Sequence, residues 1–171
     1  GECKRLIINI APRYSKTLIA VRSFIEYGLC LNPTAKFLHL SYSDDLVLDS
    51  SRAIRETLQL PEMQEVFGVN ITSGNAKKWY TDKGGGLYAV STGGQVTGFG
   101  AGNITYPAEE QRDIDSFIPF YNSTFSGAII IDDPIKPEDA LSDNLREQVN
   151  RRFETTIRNR VNSRDTPIII I

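Results

Sequence analysis

Apolar and polar residues fall in short blocks along this chain, and the blocks predict strands and helices in alternation. Residues 6–9 form an apolar run that suits a fully buried strand, and after the loop that follows, Leu18, Ile19, Val21, Phe24 and Ile25 open a mostly apolar helix. That helix is expected from Ser15 or Lys16 to about Tyr27, with Gly28 as its C-terminal cap. Residues 36–40 read as a second strand. Ser43 is a candidate cap for the next helix, which has Asp44 and Asp45 in its first turn and Val47, Ser51, Ile54 and Leu58 at helical spacing to about Gln59. Pro61 opens a short turn or helix.

From residue 70 to 102 the pattern changes to short alternating segments separated by glycines. Residues 79–81 and 87–91 predict two strands of a hairpin around Gly84, Gly85 and Gly86. Residues 103–126 are rich in aromatics and acids and read as an inserted excursion. Ala128, Ile129, Ile130 and Ile131 then run into Asp132, Asp133 and Pro134, as a buried parallel strand with acids at its C-terminal end would. Ser142 and Asp143 start a helix whose Leu145, Val149, Phe153 and Ile157 share one face, and residues 168–171 form a closing strand. The order β, α, β, α, hairpin, β, α, β predicts an α/β fold with a mostly parallel sheet.

At 171 residues and 40% hydrophobic composition, the chain can bury one good core, so a single domain over 1–171 is the default. Its formal charge of −2 gives no global pull toward nucleic acid or anionic membrane, so any DNA contact must be local. The one dense basic stretch lies between Arg146 and Arg164, with six arginines against two glutamates. It reads either as a solvated helix face or as a source of phosphate contacts. Arg52 and Arg55 pose the same alternative. Cys3 and Cys30 belong to no metal or redox pair and read as reduced cytosolic thiols. His39, the only histidine, sits inside a strand and reads as a packed residue rather than a ligand. No signal peptide or membrane span is expected. Both ends read as cut from a larger protein.

Two stretches carry candidate chemistry. A loop that ends in Lys16 and Thr17 at a helix start can hold phosphate on backbone amides, and the acids Asp132 and Asp133 can serve a metal ion and a water. Phosphoryl transfer from ATP needs those groups together: a lysine on the β and γ phosphates, a hydroxyl and a carboxylate for Mg²⁺, and a group that orients the attacking water. The acids lie on a different strand from the loop, so the site exists only in the folded sheet.

APRYSKT at 11–17, YSDDL with SSRAIR at 42–55, GGQVTGFGAG at 93–102 and IIIDDP at 129–134 together resemble the ATPase domain of the large terminase subunit of tailed bacteriophages and prophages. The resemblance implies an ASCE-type P-loop NTPase and a packaging motor that drives double-stranded DNA into a procapsid with ATP and Mg²⁺. Carried over residue by residue, Pro12, Arg13, Tyr14, Ser15, Lys16 and Thr17 form the phosphate loop, and Thr17 and Asp132 hold the metal. Asp133 takes the catalytic acid's place, Arg13 is a candidate for charge stabilisation, and Glu138 is a fallback for orienting water. The implied partners are the DNA, the portal protein, the small terminase subunit and further copies in a ring. The implied setting is the bacterial host cytoplasm, with no membrane. An adenine-contacting segment upstream and a nuclease domain downstream are expected outside this chain.

Ser15 stands where most P-loops have glycine, Asp133 is shorter than the usual glutamate, and 103–126 interrupts a connection that is short in relatives. The alternatives are another P-loop motor, such as a helicase-like translocase, and a non-hydrolysing P-loop relic that serves as an interaction module.

Overall fold

The computed structural model describes residues 3–96, 98–102 and 125–171. Its strands are β1 (Arg5–Ile7), β2 (Lys36–Ser41), β3 (Ile71–Gly74), β4 (Lys78–Thr81), β5 (Gly86–Ser91), β6 (Ile129–Ile131) and β7 (Ile168–Ile170). They form one seven-stranded sheet in the order β1-β7-β6-β2-β5-β4-β3. Every pairing from β1 across to β5 is parallel, whereas β5 with β4 and β4 with β3 are antiparallel. The chain is therefore α/β with a mostly parallel sheet flanked by helices. The hairpin expected around Gly84 to Gly86 is β4–β5, and β3 extends it by a strand the sequence pattern did not resolve.

Strand alternation divides the core into two layers. On one face Phe37, Leu87, Ile130 and Ile169 pack against Val21, Ile25 and Leu29 of the first helical segment and against Ile54 and Leu58 of α2 (Asp44–Leu58). On the other face Leu38, Leu40, Val90, Ile129 and Ile131 meet Phe99, Ala101 and Ile157. Burial of each such Leu, Ile or Phe contributes about 1.5–3 kcal/mol, so both layers stabilise the sheet. A buried hydrogen bond from Trp79 Nε1 to Ser51 Oγ at 2.9 Å fixes α2 to the hairpin.

The helix after β1 begins at Lys16, passes through a π-helical turn at Leu18–Ser23 and continues as α1 (Phe24–Leu31). Gly28 does not cap it, contrary to expectation. The helix runs on to Leu31, and Gly28 is needed for space: a Cβ there would lie 2.5 Å from both the Phe37 and Phe125 rings. Cys30 lies buried in α1, and Cys3 is exposed near β1. Pro61 starts a true helix, α3 (Pro61–Phe67).

Ser43 occupies the N-cap position of α2 without a side-chain capping bond, and Asp44 Oδ1 instead accepts the Ser91 amide at 3.1 Å. Ser142 does cap α4 (Asp143–Arg152), accepting from the Leu145 amide at 3.5 Å. β1 is not the fully buried strand expected for residues 6–9. It is an edge strand with Leu6 and Ile7 42% and 69% exposed, because only β7 flanks it. Of the excursion at 103–126, positions 103–124 lie outside the described residues.

Candidate nucleotide site

Parallel strands send their C-terminal ends to one edge of the sheet, and ligands of open α/β sheets bind in the crevice there. At that edge β1 leads into the 8–15 loop and then into Lys16 and Thr17 of the helix, β6 into Asp132 and Asp133, and β2 into Tyr42. Backbone bonds tie these exits together: the Asp132 amide donates to the Leu40 carbonyl at 2.8 Å and the Tyr42 amide to the Asp133 carbonyl at 3.0 Å.

The loop turns through left-handed residues. Arg13 has φ 70° and Ser15 φ 57°, and across the sheet edge Asp133 has φ 47°. These are the non-glycine residues with positive φ among the described residues, and all three sit at this crevice. An L residue holds that conformation at a cost of about 1–2 kcal/mol, and such strain concentrates at functional sites. Ser15 therefore adopts the backbone that glycine would provide. Left-handed turns of this kind bring successive amides round to one side, where they form an anion-binding concavity. The Ser15 carbonyl accepts the Ile19 amide at 2.9 Å, which leaves the Lys16 and Thr17 amides in the first helical turn without helical acceptors. The positive end of the helix dipole reinforces that anion preference.

The side chains then bring loop and acids into contact. Lys16 Nζ lies 2.5 Å from Asp133 Oδ1, and Thr17 Oγ1 donates to Asp132 Oδ2 at 2.6 Å. Asp132 is only 6% exposed, and its Oδ1 is buried with no hydrogen-bond partner. Burial pushes its carboxyl above the ordinary carboxylate range; the Thr17 hydrogen bond opposes that rise, Asp133 adds to it and Lys16 opposes it. Among the described residues no group of three or more His, Cys, Asp or Glu is placed to hold a metal. A carboxylate and a hydroxyl are hard oxygen donors, which suit Mg²⁺ when a phosphate supplies further ligands.

A cavity of about 350 Å³ opens above these contacts, lined by Pro12, Arg13, Ser15, Lys16, Thr17, Leu18, Tyr42, Asp133, Ile135 and Pro137. No protein-family model matches the chain, and no curated protein does. The functional reading rests on this site.

Six of the residues expected from sequence thus share one cavity, and Asp132 lies directly behind it through Thr17. Tyr14 is 68% exposed and lines no part of the cavity. Glu138 is not brought to Lys16 or Asp133: it lines a neighbouring open recess with Ser43 and Lys136, where Tyr42 and Pro137 form the shared boundary. Four lining residues were not expected from the sequence: Leu18, Tyr42, Ile135 and Pro137. The signal for Tyr42 was its place immediately after a parallel strand, which the crevice rule puts at the site. His39 is a buried core residue, as expected, with both nitrogens unpartnered and its pKa lowered to about 3 by burial and by the nearby Arg22 charge.

Half of the six arginines in the basic stretch are paired with acids. Arg146, Arg151 and Arg158 each pair with an acid within one helical turn: Asp143, Glu147 and Glu154. Arg152 donates to the Gly94 carbonyl of the glycine-rich segment.

Proposed function

We propose that this chain is the ATP-hydrolysing motor domain of a phage or prophage large terminase subunit, which moves double-stranded DNA into a procapsid. The observation that carries the proposal is the pairing of Lys16 with Asp133 and of Thr17 with Asp132 across two strands. Those four side chains are the lysine, hydroxyl, metal carboxylate and water-orienting acid that ATP hydrolysis needs. β7 lies between the loop strand β1 and the acidic strand β6, a strand order that supports an ASCE-type reading.

In this reading the loop amides and Lys16 bind the β and γ phosphates, and Thr17 and Asp132 hold Mg²⁺ directly or through water. Bound Mg²⁺ neutralises charge that develops on the phosphate oxygens. Lys16 and Asp133 are paired with each other. The triphosphate, with its greater negative charge, draws the ammonium off the carboxylate, and Asp133 is then free to accept a hydrogen bond from the attacking water. Arg13 lines the same cavity and has no ion-pair partner among the described residues, so it is available to the transferring phosphate. The portal protein, the small terminase subunit and a ring of further copies belong to this proposal as partners.

Ser15 is the best argument for the rival reading, a P-loop relic without hydrolysis, and its left-handed φ of 57° weighs against that reading. The deciding experiment is ATP hydrolysis by the full-length protein with and without Asp132→Ala, beside equilibrium binding of a fluorescent ATP analogue by Lys16→Ala. We expect hydrolysis to be lost in the first variant and affinity to fall at least tenfold in the second. Unchanged hydrolysis in Asp132→Ala overturns the metal site, and unchanged binding by Lys16→Ala overturns the phosphate loop.

A further inference from the structure

Two buried oxygen atoms at the carboxyl edge of the sheet have no hydrogen-bond partner: Asp132 Oδ1 and Ser41 Oγ. Ser41 is 2% exposed, so no open solvent satisfies it. Leu40 pairs with Ile131 in the β2–β6 register, which places Ser41 opposite Asp132, and neighbouring strands lie about 4.8 Å apart. Alternation from Phe37 and Ile130, both packed against the first helix, turns Ser41 and Asp132 to that same face, where Thr17 already holds the other Asp132 oxygen. On the far side Ser41 pairs with Ser91 of β5, so the polar row Asp132, Ser41, Ser91 crosses three strands above the buried row Ile130, His39, Ala89.

A buried hydroxyl left unpaired costs about 1–3 kcal/mol, and an alanine at this position would avoid that cost. Mg²⁺ surrenders its waters reluctantly and keeps several when bound. Those waters are strong donors and need acceptors around the first ligands. We infer that Ser41 is a positioning residue for the hydrated magnesium ion at Asp132, its hydroxyl hydrogen-bonding a water of the ion's shell. The inference rests on the ATPase reading and adds a residue that no motif of the chain singles out. Outer partners of this kind change metal affinity by roughly 10–100-fold.

The test is Mn²⁺ binding, read by electron paramagnetic resonance, with saturating AMP-PNP in the wild type, Ser41→Ala, Ser41→Thr and Asp132→Ala. Ser41→Ala should weaken Mn²⁺ about tenfold, and Ser41→Thr, which keeps the hydroxyl, should stay within about twofold of wild type. Metal-free AMP-PNP affinity should be unchanged in both Ser41 variants. Ser41→Cys fills the same space but hydrogen-bonds weakly, so it should follow alanine and serves if the alanine variant folds poorly. Wild-type Mn²⁺ affinity in Ser41→Ala, with loss in Asp132→Ala, overturns the inference and leaves the ATPase reading standing. Wild-type affinity in Asp132→Ala overturns both. Equal losses of Mn²⁺ and metal-free nucleotide affinity in Ser41→Ala mark a structural role and also overturn it.

Discussion

Ser15 holds φ 57° without the freedom of glycine, so its strain is a quantity that substitution can recover. Glycine relieves about 1–2 kcal/mol there and returns about 0.5–1 kcal/mol through greater freedom of the unfolded chain. Ser15→Gly should therefore raise stability by a net of about 0.5–1 kcal/mol, read as a higher urea midpoint, whereas Ser15→Ala keeps the strain and gains nothing. Asp132 presents the opposite conflict. Its folded pKa is raised, so folding disfavours its ionised form, and the group detracts from stability at pH values above that pKa. Asp132→Asn retains an oxygen for the Thr17 hydroxyl and removes the buried charge. Its melting temperature at pH 7 should exceed that of the wild type, although Mn²⁺ binding is lost. The gap should close as the pH falls below the ordinary carboxylate range, which thermal melts across pH would show.

At the scale of elements, β2 carries the next consequence. His39 is neutral in the fold, with its pKa lowered to about 3 against an ordinary value near 6.5, so the unfolded chain binds the proton first. Stability is complete above about pH 6.5 and falls as the pH drops toward 3, by about 2 kcal/mol at pH 5. His39→Leu should flatten that part of the curve, as urea midpoints between pH 7 and 5 would show. His39 was legible in the sequence because a strand of apolar neighbours buries whatever it contains. The strand Ile129–Ile131 and its acids were legible for the same reason, and with them the crevice that holds Lys16 and Thr17. Edge position was not legible, because an apolar run does not tell how many strands flank it: residues 6–9 read like residues 128–131, yet β1 has a neighbour on one side only. Gly28 was misread because a helix cap and a close approach to two rings leave the same residue in the sequence. Ser43 was misread because the register of α2 against β5 gave the capping acceptor's role to no side chain and turned Asp44 to the Ser91 amide.

At the scale of the whole molecule, Leu6, Ile7 and Ile10 around β1 and Leu18 and Ile19 at the start of the first helix are all more than two-fifths exposed. A sheet edge with an apolar flank is a template for unwanted pairing. Ile7→Lys should lower self-association of the chain at high concentration, measured by static light scattering, without shifting its thermal melt by more than a degree or two. Toward the opposite end of the sheet, on β4, the Lys78 ammonium stands 5.5, 5.6 and 5.5 Å from the rings of Tyr80, Tyr88 and Phe99. That cluster fastens the glycine-rich segment to the hairpin, and Arg152 fastens it to α4, so the glycines there belong to a held connection rather than a free one.

The contrast between the two cysteines supplies a tool for following all of this. Burial, with the Glu26 charge adding to it, pushes the Cys30 thiol up to about 12, whereas Cys3 stands exposed beside the β1 edge. A thiolate-selective reagent at neutral pH should therefore consume one equivalent from the native chain and two after denaturation, as counted by mass spectrometry. A fluorophore installed without mutagenesis would then sit next to the strand that feeds the proposed phosphate loop, where a change in its signal on adding ATP would test nucleotide binding directly.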